Sequence, residues 1–209
     1  VENAPKEIEK LFSYKIKFDS ANGGIELGRE RAHSFRRILH HKDATGAEIE
    51  NKLVSAVKHN KNIFVREKAV LLELLAKDKR CYGALFLNLR KNSLFAVEAR
   101  CTILATGGIG QVYKYTTNPG IATGDGIAAA YKAGAETENM EFVQFHPTAL
   151  NVESEVKFLV SEALRGEGAL IANQNNERFV KHKLMELAPR DILAREIFNE
   201  MKKSRVYLD

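Results

Sequence analysis

Apolar residues recur at helical spacing over residues 5–12, where Ile8, Leu11 and Phe12 share a face and predict a short helix. Residues 15–19 alternate as a strand does, Asn22-Gly23-Gly24 marks a turn, and residues 25–27 open a second short strand. Thr45 is placed to cap a helix running to about Val57, with Glu48 completing a capping box and Leu53, Val54 and Val57 as its apolar stripe. Residues 62–105 are the most strand-rich stretch. Strands are expected at 62–65, 69–75, 83–88, 94–99 and 102–105, joined by the polar turns Lys77-Asp78-Lys79 and Lys91-Asn92-Ser93. This reads as a small antiparallel insertion returning to a buried strand, because residues 102–105 are apolar on both faces, as in a central parallel strand. Farther on, an Ala-rich helix is predicted over 124–133, ending at Gly134. Residues 141–150 are extended, 158–164 form a short helix, and 191–202 form a longer one partly lined by Ile192, Ile197 and Met201.

Composition narrows the classes without choosing among them. The 209 residues are 44% hydrophobic and 28% charged, which is ordinary for a soluble globular chain with a packed core. The net charge of +5 comes from Lys and Arg scattered among nearly as many acids, so attraction for small anions is expected and a nucleic-acid stripe is not. Cys81 and Cys101 form no disulfide framework and no metal-ligand spacing; Cys101, in an apolar run, reads as a buried thiol, and the compartment as cytoplasmic. No apolar run reaches membrane-spanning length, and the start, Val1-Glu-Asn-Ala-Pro-Lys, is not a signal peptide but implies a processed chain or a fragment.

Several stretches carry candidate chemistry. The 102–105 strand runs into Thr106-Gly107-Gly108, small residues where a backbone must approach a ligand or simply turn tightly. Asp125 opens the Ala-rich helix, as a cap or as an acceptor for a polar cofactor beside the helix-end amides. Gln144, His146 and Thr148 alternate with Phe145 and Pro147, so the three polar residues share a face toward a cavity or toward solvent. Glu162 and Arg165 stand i,i+3 after Ser161, either as a surface ion pair or as a proton relay. Arg190 begins a helix, either as a surface residue or reaching toward an anion. The loop at 29–37 reads as a solvated cationic patch, and His40 and His41 lack a third ligand for a metal.

In their order along the chain these stretches resemble one family. Ile103-Leu-Ala-Thr-Gly-Gly108, Gln111-Val-Tyr113, Tyr115-Thr-Thr-Asn-Pro119, Ala122-Thr-Gly-Asp-Gly-Ile127 and Met140-Glu-Phe-Val-Gln-Phe-His-Pro-Thr-Ala-Leu150 resemble the flavoprotein subunits of succinate dehydrogenase, fumarate reductase and L-aspartate oxidase. Arg36-Arg-Ile-Leu-His40, Asp43-Ala-Thr-Gly46, Glu162-Ala-Leu-Arg-Gly-Glu-Gly168 and Leu187-Ala-Pro-Arg-Asp191 resemble the L-aspartate oxidase branch. The resemblance spans nearly all of residues 7–209.

It implies an α/β fold: a partial FAD-binding, Rossmann-like domain over 1–143 with a small antiparallel insertion, and an α+β capping domain over 144–209, with the active site between them. It implies FAD as cofactor, contacted by Asp125 and lined by Ala105, Thr106, Gly107 and Gly108. Glu30 is expected to meet the substrate ammonium. Gln144, His146 and Ser161 fall at substrate-carboxylate and pocket positions, where the family commonly has Thr at the last. Glu162 and Arg165 correspond to a proton-relay pair, and Arg190 to the proton donor or acceptor. The implied reaction is oxidation of L-aspartate to iminoaspartate with O2 or fumarate as acceptor, the first step of NAD biosynthesis, with quinolinate synthase as an associated protein. No nucleic acid, membrane or metal enters.

Two departures qualify the match. Arg31 and Ala32 stand where the family has two glycines, which would crowd the substrate loop. The family's opening Gly-x-Gly-x-x-Gly turn and its C-terminal portion have no counterpart here, so residues 1–209 taken alone are expected to bind FAD poorly. A fumarate reductase or succinate dehydrogenase flavoprotein is the rival reading within the class, and a fragment without flavin is the rival outside it. Glu30 discriminates within the class, because a dicarboxylate lacking an amine has no need of it.

Overall fold

The computed structural model describes residues 2–29 and 35–209. The chain forms two compact units, one of Val1–Val65 with Ser161–Asp209 and the other of Arg66–Val160. These limits do not coincide with 143/144, because residues 144–160 pack with the second unit.

In the first unit, helix α1 (Ala4–Ser13) is followed by Lys15 at φ 63°, and the Ile16 N–H bonds to the Leu11 carbonyl. This left-handed closure takes up the start of the strand expected at 15–19, so strand pairing begins only at β1 (Ser20–Ala21). β1 pairs antiparallel with β2 (Gly24–Ile25) across the Asn22-Gly23 turn. β3 (Leu27–Gly28) pairs with β4 (Ile38–Leu39), and α2 spans Thr45–His59. The capping box does not form. The Thr45 hydroxyl accepts from the His41 N–H at 3.0 Å and Glu48 from the Lys17 N–H at 3.1 Å, so both side chains tie the preceding loops instead.

The later part of this unit holds α4 (Glu162–Gly166), β8 (Ile171–Asn173), a 3-10 turn at Met185–Leu187, α5 (Arg190–Met201) and β9 (Val206–Leu208), which pairs with β8. Its core is Ile171, Val180, Ala188, Leu193 and Ile197. Leu193 and Ile197 form the buried face of α5, whereas Met201, expected on it, is exposed. The helix expected over 158–164 starts four residues later. Residues up to Val160 stay extended, with a bridge from Leu159 to Ala149, and the Ser161 hydroxyl caps α4.

The second unit is built on the expected antiparallel sheet, β5 (Ala69–Lys77), β6 (Arg80–Asn88) and β7 (Ser93–Glu98), in sequential order. Both turns form where the polar residues predict them, with Asp78, Lys79 and Asn92 at positive φ. Helix α3 (Asp125–Lys132) lays Ala129, Ala130 and Ala133 on Leu71, Leu74, Ala84 and Phe86 of the sheet. Small alanines let the helix approach closely. Beyond it, the Gly134 N–H meets Tyr131 and the Ala135 N–H meets Ala130, a paired closure of the helix end.

Residues 62–65 and 102–105 are not strands among the described residues. Ile103 is 89% exposed and Cys101 is exposed rather than buried. A strand apolar on both faces is buried only when flanked by other strands, and residues 102–105 have no ladder partner among those described.

Candidate functional site

In the second unit, an open cavity of about 540 Å³ lies against the sheet. Leu71, Leu74 and Phe86 give it an apolar wall, while Thr106, Thr123 and Asp125 form its polar end. Its volume is in the range of small-molecule sites. Of the expected cofactor residues, Thr106 and Asp125 line it, and Ala105, Gly107 and Gly108 flank Thr106 along the chain.

Local packing sets this geometry. A Cβ on Gly126 would come within 2.0 Å of the Thr106 hydroxyl, so the glycine is what lets the start of α3 lie against residue 106. Asp125 is the first helical residue and makes no capping hydrogen bond, so the cap expected of it is not formed. Its carboxylate instead accepts from the Thr123 hydroxyl at 2.5 Å, a partner the sequence reading missed.

The backbone at residues 107 and 108 is compatible with a flavin nucleotide lying beside it. Gly107 has φ +74°, a conformation that favours glycine, but Gly108 has no such constraint, and a Cβ on either would meet nothing within 4 Å. Among the described residues, packing therefore leaves the backbone at Gly107 and Gly108 open to close approach by a planar or phosphate-bearing group.

Gln144 and His146 lie in the same unit, beside a smaller cavity of about 100 Å³ with Tyr113, Tyr115 and Lys157. Phe145 stacks edge-on against Tyr113, with ring centroids 5.2 Å apart. The Thr148 N–H donates to His146 Nδ1 at 3.3 Å, and the Thr148 hydroxyl donates to the Val160 carbonyl at 3.1 Å. An acceptor Nδ1 puts the proton of the neutral imidazole on Nε2, which then serves as a donor.

In the first unit, Glu162, Arg165 and Arg190 are brought together. Glu162 is 8% exposed and Arg165 2%. Arg165 Nη2 donates to Glu162 Oε1 at 3.1 Å, and Arg190 donates to Oε2 through Nε at 3.0 Å and Nη2 at 2.5 Å. The i,i+3 pair is thus buried, with a second guanidinium arriving from 28 residues away. Ser161 caps α4, its Oγ accepting from the Ala163 N–H at 3.2 Å. Glu30 falls outside the described residues, as do Arg31 and Ala32.

A buried carboxylate, Glu186, and its exposed partner Arg178 escaped the sequence reading. Arg165 Nη1 donates to the Glu186 carbonyl at 2.8 Å, and Arg178 forks onto the Glu186 carboxylate at 2.9 and 2.6 Å. The one available signal was an acid inside the apolar run Met185-Glu186-Leu187-Ala188. Burial pushes the Glu186 carboxyl upward, but the Arg178 fork, the backbone N–H groups of Glu186 and Ile171, and the Arg178 charge outweigh it and hold the group below the usual carboxylate range. His40 sits 2.9 Å from Asp19, whose carboxyl is also lowered, first by the Lys42 N–H. Among the described residues no three His, Cys, Asp or Glu side chains converge as a metal site, and no helix is long and apolar enough to cross a membrane.

Comparison with known proteins gives this geometry its context. The FAD binding domain family matches residues 1–209. The chain is 44% identical to L-aspartate oxidase 1 of Ralstonia nicotianae, over 100% of this chain and 42% of that protein. It is 42% identical to an uncharacterised FAD-dependent oxidoreductase of Methanocaldococcus jannaschii, over 100% of this chain and 40% of that protein. A structure of a variant of E. coli quinol fumarate reductase superposes with a TM-score of 0.91 at 30% identity, over 100% of this chain and 39% of that one. The chain therefore spans about two fifths of the length of the relatives it matches.

Proposed function

Since this chain belongs to the FAD binding domain family, and so to the FAD-dependent oxidoreductases, we propose that its protein oxidises L-aspartate to iminoaspartate with O2 or fumarate as acceptor. The observation that carries this reading is the partly buried Arg165–Glu162–Arg190 cluster in a chain 44% identical to an L-aspartate oxidase. With O2 the balance is one L-aspartate and one O2 giving one iminoaspartate and one H2O2. The reaction then opens NAD biosynthesis, and association with quinolinate synthase belongs to the same reading.

The proposed division of labour assigns cofactor binding chiefly to residues 1–143 and substrate binding chiefly to 144–209. Asp125 and the backbone of Ala105, Thr106, Gly107 and Gly108 hold FAD, which when bound supplies the hydride acceptor. Gln144, the Nε2–H of His146 and the Ser161 hydroxyl donate to substrate carboxylates, and Glu30 answers the ammonium. Arg190 handles the substrate proton. A guanidinium surrenders a proton only at high cost, so Arg190 takes one from the amine as it passes one to Glu162 Oε2, with Arg165 on the opposite oxygen. No neutral guanidine then needs to accumulate.

The likeness to quinol fumarate reductase supports a second reading, in which the same cluster protonates or deprotonates a dicarboxylate without an amine. H2O2 formation by the complete, FAD-loaded protein separates the two. Turnover of L-aspartate and not succinate is expected, and the reverse would assign it to the fumarate/succinate reaction.

A further inference from the structure

The proposed chemistry uses Glu162, Arg165 and Arg190, but the buried charges do not end there. Glu186 is 4% exposed, and both of its carboxylate oxygens are held by the Arg178 fork at 2.9 and 2.6 Å. Oε1 also accepts from the Ile171 N–H of β8 at 3.3 Å. Two parallel N–H bonds fix a carboxylate in orientation as well as in place.

This anchoring controls two positions. The Glu186 carbonyl accepts from Arg165 Nη1 at 2.8 Å, so where the Met185–Leu187 turn sits decides how Arg165 presents Nη2 to Glu162. Glu186 is also four residues before Arg190, and Ala188 between them is fully buried in the core with Leu193. Holding the turn therefore holds the start of α5, from which Arg190 reaches Glu162 Oε2.

We infer that Arg178 and Glu186 are positioning residues for proton transfer, clamping the Met185–Leu187 turn so that Arg165 and Arg190 grip opposite oxygens of Glu162. The inference rests on the proposed role of that trio. Neither residue touches substrate or cofactor in this account. Their effect passes through donor geometry, to which transfer rates are steeply sensitive: about 1 Å of misplacement costs about 100-fold.

The test uses the complete, FAD-loaded protein, with kcat and KM measured across pH well below the unfolding midpoint. L-aspartate and succinate are run in parallel, and the variants are judged on whichever one wild type turns over. Arg178→Ala is expected to lower kcat about 100-fold with KM and flavin absorbance unchanged. The acid limb of its kcat profile moves to higher pH, because buried Glu186 has lost the fork that held its proton off. Arg178→Lys, which keeps the charge without the fork, falls between Arg178→Ala and wild type, and Glu186→Gln also loses kcat. Arg195→Ala, on an exposed pair with Asp191, behaves as wild type.

A wild-type kcat and acid limb in Arg178→Ala would overturn the inference, as would a loss confined to KM or thermal stability. If Arg178→Ala does not fold, Arg178→Lys decides: a lowered kcat at unchanged stability supports the clamp, and an unchanged kcat overturns it. Wild type turning over neither substrate would overturn the proposed function and, with it, this role.

Discussion

Around Glu162 the first unit concentrates charge: three guanidiniums and two carboxylates share one partly buried network, and Glu162 has a cation on each oxygen. The stretch from Thr102 to Asp125 in the second unit does the opposite. It offers glycines, threonines and one exposed carboxylate along or beside an open cavity, and among the described residues a Cβ on Gly107 or Gly108 would meet nothing within 4 Å. The first arrangement is suited to moving a proton among groups held in fixed positions. The second is suited to receiving a large ligand through backbone and small side chains. The contrast teaches that substitutions in the charged cluster should act first on stability and rate, and those in the small-residue stretch on cofactor occupancy.

The largest expected effect is at Glu162. Glu162→Ala leaves the buried Arg165 without its carboxylate, and loss of one partner of a buried pair costs about 3–5 kcal/mol. Urea unfolding checks this, and a cost near that of a surface pair would erase the contrast. Next is Gly126→Ala, whose Cβ would meet the Thr106 hydroxyl at 2.0 Å. Overpacking of that kind costs about 1–3 kcal/mol, and adding Thr106→Ala should recover part of it in a double-mutant cycle.

A third effect appears only in acid. The folded carboxyl of Glu186 is lowered, so its contribution is fully present above the ordinary carboxylate range and is lost as pH falls through the lowered value. Unfolding midpoints of wild type and Glu186→Gln should therefore show different pH slopes below that range and parallel behaviour above it. Asp125→Ala should change stability by no more than about 0.5 kcal/mol, because the residue is exposed and caps nothing, yet it should reduce FAD affinity in a flavin titration. The smallest effect is expected at the exposed Arg195–Asp191 pair, where Arg195→Ala should cost within about 0.5 kcal/mol by the same unfolding assay.

Legibility in the sequence followed the range of the interactions. The β5–β7 meander was readable because Lys77-Asp78-Lys79 and Lys91-Asn92-Ser93 are turn signals beside apolar runs, and both act locally. α4 starts four residues after the apolar pattern predicts, because the Ser161 hydroxyl caps it and fixes its first turn at Glu162. Residues 102–105 carry the pattern of a buried strand, but a pattern encodes burial only if neighbouring strands supply the ladder. Glu162 and Arg165 were visible as a pair at helical spacing. The arrival of Arg190 from 28 residues away and of the Glu186 carbonyl from 21 could not be read from periodicity, because the fold alone sets those separations.

In the proposed reaction Arg190, held on Glu162, governs the proton of the substrate. Anaerobic bleaching of the visible flavin absorbance by L-aspartate, followed in a stopped-flow instrument for the complete wild-type protein and for Arg190→Lys, tests it most directly. Rapid bleaching is expected in wild type, and bleaching slowed at least about 100-fold in Arg190→Lys with FAD content unchanged. Equal rates in the two proteins would contradict it.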